Sequence, residues 1–120
     1  MNCVFCEHKN RILENELAFA IWDKNPVSKG HALFIPKRHI KDFFDVTLDE
    51  KIALFNLVDD MKKEIDKKYS PDGYNIGINC GVVAGQTVMH LHIHLIPRYF
   101  GDIDNPKGGI RGVIPDKKEY

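Results

Sequence analysis

The sequence predicts an α+β domain, and three features predict it. Residues 47–68 carry the three- and four-residue apolar spacing of one amphipathic helix, several short stretches alternate with period two, and Gly, Pro and Asn punctuate the junctions. A chain of 120 residues suits a single domain, 1–120, around one modest core. Seventeen basic residues balance seventeen acidic ones. No global field therefore draws in nucleic acid or an anionic membrane, and any charge that binds phosphate must be local. Hydrophobic content of 43% and charged content of 28% are those of a globular protein, and no long apolar run or signal peptide is present, so a cytoplasmic location is expected. Three cysteines in such a chain argue against a disulfide framework.

Taken in order, Cys3-Val4-Phe5-Cys6 is a Cys-x2-Cys pair. Two-residue spacing lets both thiolates face one zinc ion, with His8, His39 and His90 as candidates for the remaining ligands. Unligated thiols are the alternative. Residues 16–23 read as a strand with Leu17, Phe19 and Ile21 on one side, and Trp22 as packing or as a surface for base stacking. Asn25-Pro26 breaks the strand. Residues 30–36 form the next, opening with His31 on the same side as Leu33 and Ile35. The segment Pro36-Lys37-Arg38-His39-Ile40-Lys41 is either a solvated turn or a place to hold phosphate or metal.

Thr47 and Glu50 form a capping box, and Leu48, Ile52, Phe55, Val58, Met61 and Ile65 trace the expected buried face of the helix. Ser70-Pro71-Asp72-Gly73 is a loop, residues 74–80 a third strand, and 81–85 a turn. The strand at 88–96 places His90, His92 and His94 on one face and Met89, Leu91, Ile93 and Leu95 on the other. Same-face neighbours lie about 6.5–7 Å apart, so one bound group can meet two or three imidazoles. A merely solvated face would more naturally carry Lys, Thr or Glu. The Gly- and Pro-rich tail after Arg98 is expected to be irregular, either draped over the site or idle.

His90-Leu91-His92-Ile93-His94-Leu95-Ile96 resembles the defining motif of the histidine triad (HIT) superfamily, and the resemblance extends over nearly the whole chain. Gly85-Gln86-Thr87-Val88 and Pro97-Arg98 around the motif, residues 25–31, the Cys-x2-Cys opening, Pro36-Lys37-Arg38-His39, and Asn79 before Gly81 all share in it. The flanks look closer to dinucleoside polyphosphate hydrolases (Fhit-like) than to phosphoramidases (Hint-like).

The resemblance implies a HIT-like fold, an antiparallel sheet of about five strands covered by the helix, and a homodimer. It implies hydrolysis or transfer at a nucleotide α-phosphate, with His92 as nucleophile and His90, His94 and Gln86 assisting. His31, Asp23, Asn79 and Thr87 would bind substrate, Asp23 at the ribose. A structural zinc would sit on Cys3, Cys6, His39 and His90. Three other readings remain open: a phosphoramidase, a nucleotide sensor or adaptor with slow turnover, and a metal-dependent hydrolase using His90 and His92 as a metal-binding pair.

Overall fold

The computed structural model describes residues 3–120. Five strands form one antiparallel sheet: β1 (Leu13–Glu14), β2 (Ala18–Trp22), β3 (Ala32–Pro36), β4 (Gly73–Ile78) and β5 (Ile93–Arg98), in the spatial order β1-β2-β3-β5-β4. The α+β expectation and the strand number both hold. β1 spans two residues and carries no periodicity to detect. The other strands are shorter than the sequence suggests, because Asn15, Asp23 and the 79–85 loop divert backbone hydrogen bonds into turns. Asn15 Oδ1, for example, accepts the N–H groups of Leu17 and Ala18 at 3.1 and 2.9 Å.

Helix α1 (Leu48–Tyr69) begins at Thr47, whose hydroxyl accepts the Glu50 N–H at 3.1 Å while the Glu50 carboxylate accepts the Thr47 N–H at 2.9 Å. Its buried face is Glu50, Ala53, Leu54, Leu57, Val58, Met61 and Ile65. Leu48, Ile52 and Phe55, expected to be buried, are exposed. In the first half the stripe is rotated, because the small Ala53 and the Leu54–Leu57 pair satisfy the same spacing and let the helix approach the sheet closely.

The sheet is covered on both faces. On one side Ala18, Ala20, Phe34, Leu91, Ile93 and Leu95 pack against α1. On the other, Phe19, Ile21, Leu33 and Ile35 pack against Cys3 and Phe5 of the N-terminal segment. Leu17, expected beside Phe19 and Ile21, is exposed at the strand's edge.

Gly30 sits in the β2–β3 connection at φ +88°, where a Cβ would lie 3.0 Å from the Tyr69 ring and 3.2 Å from Ile65 and Pro97. Conformation and space both demand glycine there. The tail is not featureless: short 3-10 turns at Gly109–Val113 and Pro115–Lys117 fold it back beside β4. Among the described residues no helix is long and apolar enough to cross a membrane.

Candidate active site and metal centre

β5 begins at Ile93, so only His94 of the three clustered histidines lies in the sheet ladder, opposite Leu33 and Gly77. His90 and His92 belong to the irregular stretch leading into it. Alternation persists from Leu91 onward, but Met89 is 36% exposed and does not join the apolar side. There the chain has left the sheet: the Leu91 N–H donates to the Ile40 carbonyl at 2.7 Å, outside the ladder.

Hydrogen bonds settle which nitrogen of each ring carries its proton. His92 Nδ1 lies 2.9 Å from the His90 carbonyl oxygen. A carbonyl only accepts, so Nδ1 is protonated and Nε2 keeps a free lone pair. His31 Nδ1 accepts the Val27 N–H at 3.0 Å, which puts the His31 proton on Nε2. That Nε2–H donates to His94 Nδ1 at 2.9 Å, and the Asp23 carboxylate lies 3.4 Å from the same nitrogen. His94 therefore carries its proton on Nε2. Burial, followed by the neighbouring His92 and His31, pushes His94 down to about 4. Burial also lowers His31, against the opposing pull of Asp23. Both rings are neutral near pH 7, as their hydrogen bonds require.

His92, His94, Thr87 and Asp23 line one cavity of about 450 Å³. Its walls include Phe5, Ile21, Leu33 and Val88, with Trp22 at the side and His8, Lys24 and Asn25 among the polar groups. The Phe5 ring stands edge-on to His92 at 5.0 Å between centroids. Phe5, His8 and Val88 carried no expectation as cavity residues. Only the position of Phe5 between two candidate ligands hinted that it would be drawn toward the triad.

Gln86 is elsewhere. It is 2% exposed, its amide donates to the Lys41 and Val88 carbonyls at 2.9 and 3.1 Å, and its Oε1 accepts the Gly81 N–H at 2.9 Å. The side chain braces the 81–86 loop and does not line the cavity. Asn79 sits against the Gly85 turn and likewise lies off the cavity. No residue beyond Arg98 lines it.

The second cluster is Cys3, Cys6, His39 and His90, whose ligand atoms all lie within 4.8 Å of one another. His90 Nε2 donates to the Pro36 carbonyl at 2.8 Å, leaving the Nδ1 lone pair aimed at Cys3 Sγ (3.3 Å) and Cys6 Sγ (3.4 Å). His39 Nδ1 is 3.1 Å from Cys6 Sγ. A tetrahedral zinc with ordinary bond lengths would separate a sulfur and a nitrogen ligand by about 3.5 Å, close to the three Cys–His distances of 3.1–3.4 Å. Desolvation, then the adjacent Cys3 sulfur, holds the Cys6 thiol above its ordinary value. A dication held between the sulfurs would offset that penalty. The donor set fits zinc. His8, the other candidate ligand, lies outside the cluster.

Both ring nitrogens of His90 are engaged and His92 Nδ1 is tied to the His90 carbonyl; His92 is not among the ligand groups gathered around His90.

A HIT domain model matches residues 6–101. The chain belongs to the HIT family. Similar HIT proteins include an uncharacterised HIT-like protein of Methanocaldococcus jannaschii, 43% identical over 115 residues that cover 89% of this chain and 87% of that one. A bis(5'-nucleosyl)-tetraphosphatase of Schizosaccharomyces pombe is 41% identical over 72% of this chain and 48% of its own. An adenosine 5'-monophosphoramidase of the same yeast is 35% identical over 82% and 75%.

Among solved structures, a HIT family protein from Bacillus anthracis superposes at TM-score 0.79 with 38% identity, covering 84% of this chain and 76% of that one. A Zn-bound histidine triad family protein from Mycobacterium smegmatis does so at 0.75 with 36% identity, covering 83% and 77%. The fold is that of the HIT family.

Proposed function

We propose that this HIT protein is a nucleotide hydrolase that cleaves nucleotidyl substrates at the α-phosphate through a covalent His92 intermediate. One observation carries the reading: the hydrogen-bond pattern leaves a free lone pair on His92 Nε2 and a proton on His94 Nε2, on rings whose centroids are 5.0 Å apart beside one cavity. His92 Nε2 attacks phosphorus, and its Nδ1–H stays on the His90 carbonyl while the ring becomes cationic. The P–O bond to the leaving polyphosphate breaks as His94 Nε2–H donates to that oxygen. Water then displaces His92 from phosphorus, releasing a nucleoside monophosphate.

Asp23 serves the ribose hydroxyls, with its distance to His31 linking that contact to His94. Thr87 serves the phosphate. Gln86 supports the site by holding the loop that carries Thr87. A zinc ion on Cys3, Cys6, His39 and His90 fills all four positions, so its role is structural.

Dinucleoside polyphosphates are the favoured substrates, in keeping with the flanking sequence and with a tetraphosphatase relative; the phosphoramidase relative keeps nucleoside phosphoramidates as the second class. The homodimer is supported by β4, which among the described residues pairs only with β5, and by Phe44, Leu48, Ile52 and Phe55, which leave an apolar strip on and beside α1 exposed.

The test is diadenosine tri- or tetraphosphate mixed briefly with enzyme and quenched in alkali, where a phosphoramidate survives. An acid-labile AMP adduct on the peptide containing His92 is expected, with solvent oxygen appearing in AMP and configuration retained at phosphorus. His92→Asn should slow turnover by roughly three powers of ten or more, about 4 kcal/mol of transition-state stabilisation. Inversion at phosphorus would exclude the intermediate.

A further inference from the structure

We propose that His8 reads the nucleobase, donating a hydrogen bond from Nε2 to a ring-nitrogen acceptor of a bound purine. The inference rests on the cavity being a nucleotide site and adds its base selectivity. His8 was an open candidate for the metal, but the Cys pair draws on His39 and His90 instead. His8 faces the cavity together with Val4 and Phe5 of the same segment and with Ile21 and Leu33 of the sheet. Those four side chains make an apolar slot suited to a flat ring, and among the described residues His8 is the only polar side chain that the N-terminal segment brings to it.

A backbone contact selects the tautomer of the ring. The Asn10 N–H donates to His8 Nδ1 at 3.1 Å, so Nδ1 is the acceptor and Nε2 bears the proton. The backbone that presents it is tied as well: Glu7 N–H donates to the Cys3 carbonyl at 3.2 Å and His8 N–H to the Phe5 carbonyl at 3.3 Å. A fixed donor on an apolar wall discriminates by leaving itself unpaired when the ligand offers no acceptor. Adenine carries acceptor nitrogens at positions 1, 3 and 7, more than a pyrimidine offers, and its larger face covers more of the slot.

The experiment measures equilibrium binding of AMP and of its 1-, 3- and 7-deaza analogues to the His92→Asn protein, which does not turn over. The same ligands are then measured with His8→Leu and His8→Gln added to that background. One analogue should bind about three- to tenfold more weakly than AMP, the size of one neutral hydrogen bond. His8→Leu should weaken AMP to that level and close the gap, and His8→Gln, which keeps an N–H donor, should restore part of it. If His8→Leu does not fold, the analogue series with intact His8 and the Gln variant decide the matter. Equal binding of AMP and all three analogues, or a gap that survives in His8→Leu, overturns the assignment of His8 while leaving the nucleotide site standing. Failure of the protein to bind any of the nucleotides overturns both.

Discussion

Replacing Glu50 with Gln should destabilise the protein by about 2 kcal/mol, a figure that follows from the contacts of one buried carboxylate. The Glu50 side chain is 5% exposed. Arg38 donates to it twice, from Nη2 at 2.7 Å and Nε at 3.1 Å, and the Thr47 N–H donates at 2.9 Å. Arg38 is the largest cause and the Thr47 N–H adds to it; against burial, they pull the carboxyl from 4.5 to about 2. A shift of that size is about 3 kcal/mol of preference for the charged form. The Arg38 side chain is 53% exposed, so solvent screens part of the interaction and about 2 kcal/mol remains.

The sign is fixed by a depressed folded-state value: the stabilisation is complete above about pH 4.5 and is lost as pH falls toward 2. Urea unfolding at pH 7.5 and constant protein concentration, for wild type, Glu50→Gln, Arg38→Met and the double variant, measures the pair. The expected coupling is about 1–2 kcal/mol with unchanged m-value, and the thermal midpoint of Glu50→Gln should fall by roughly 6–10 °C. Additive single effects, or an acid limb in Glu50→Gln as steep as in wild type, would refute the reasoning.

Three further outcomes are expected. Metal analysis after growth in zinc-replete medium should find about one zinc per chain, and Cys3→Ser should lower the thermal midpoint more than the rate per folded molecule; a collapsed rate at intact stability would instead favour metal-based hydrolysis. His94, depressed to about 4 from the ordinary 6.5, favours the folded state while neutral. Wild-type stability should therefore decline between about pH 6.5 and 4, by up to about 3 kcal/mol from this residue, and His94→Asn should flatten that decline; an identical slope in the variant would remove His94 from the account. Light scattering from micromolar to hundred-micromolar protein should give a dimer mass, and a monomer throughout would reject the proposed assembly.

Features legible in the sequence were those set by neighbours in the chain. The Thr47–Glu50 box needs four consecutive residues, and it starts α1 where the sequence says it should. Leu91, Ile93 and Leu95 face the core because period two survives even where the ladder does not. Residues whose placement depends on distant partners were harder to read. Ile52 and Phe55 match the helical period as well as Leu54 and Leu57, and only the sheet beneath decides which pair is covered. Gln86 looks like a phosphate ligand beside Thr87, yet the Lys41 carbonyl, 45 positions away, takes its amide. The proximity of Asp23 to His31 and His94 depends on the β2–β3 connection meeting β5, which no local pattern encodes.

The cavity joins residues that lie far apart in the translated message. Cys3 meets His90 across 87 positions, and Phe5, from the same segment, walls the ring of His92. During synthesis the segment that carries Cys3 and Phe5 is made long before His90 and His92, the two rings it meets just ahead of β5. Phe19, Ile21, Leu33 and Ile35 are the apolar face that this segment covers, and until it docks they are a surface that chaperones recognise. A chain truncated before residue 90 lacks the nucleophile and also leaves Cys3 and Phe5 without their histidine partners. The pocket is thus a late product of the nascent chain, completed in the step that brings Cys3 and Phe5 onto His90 and His92.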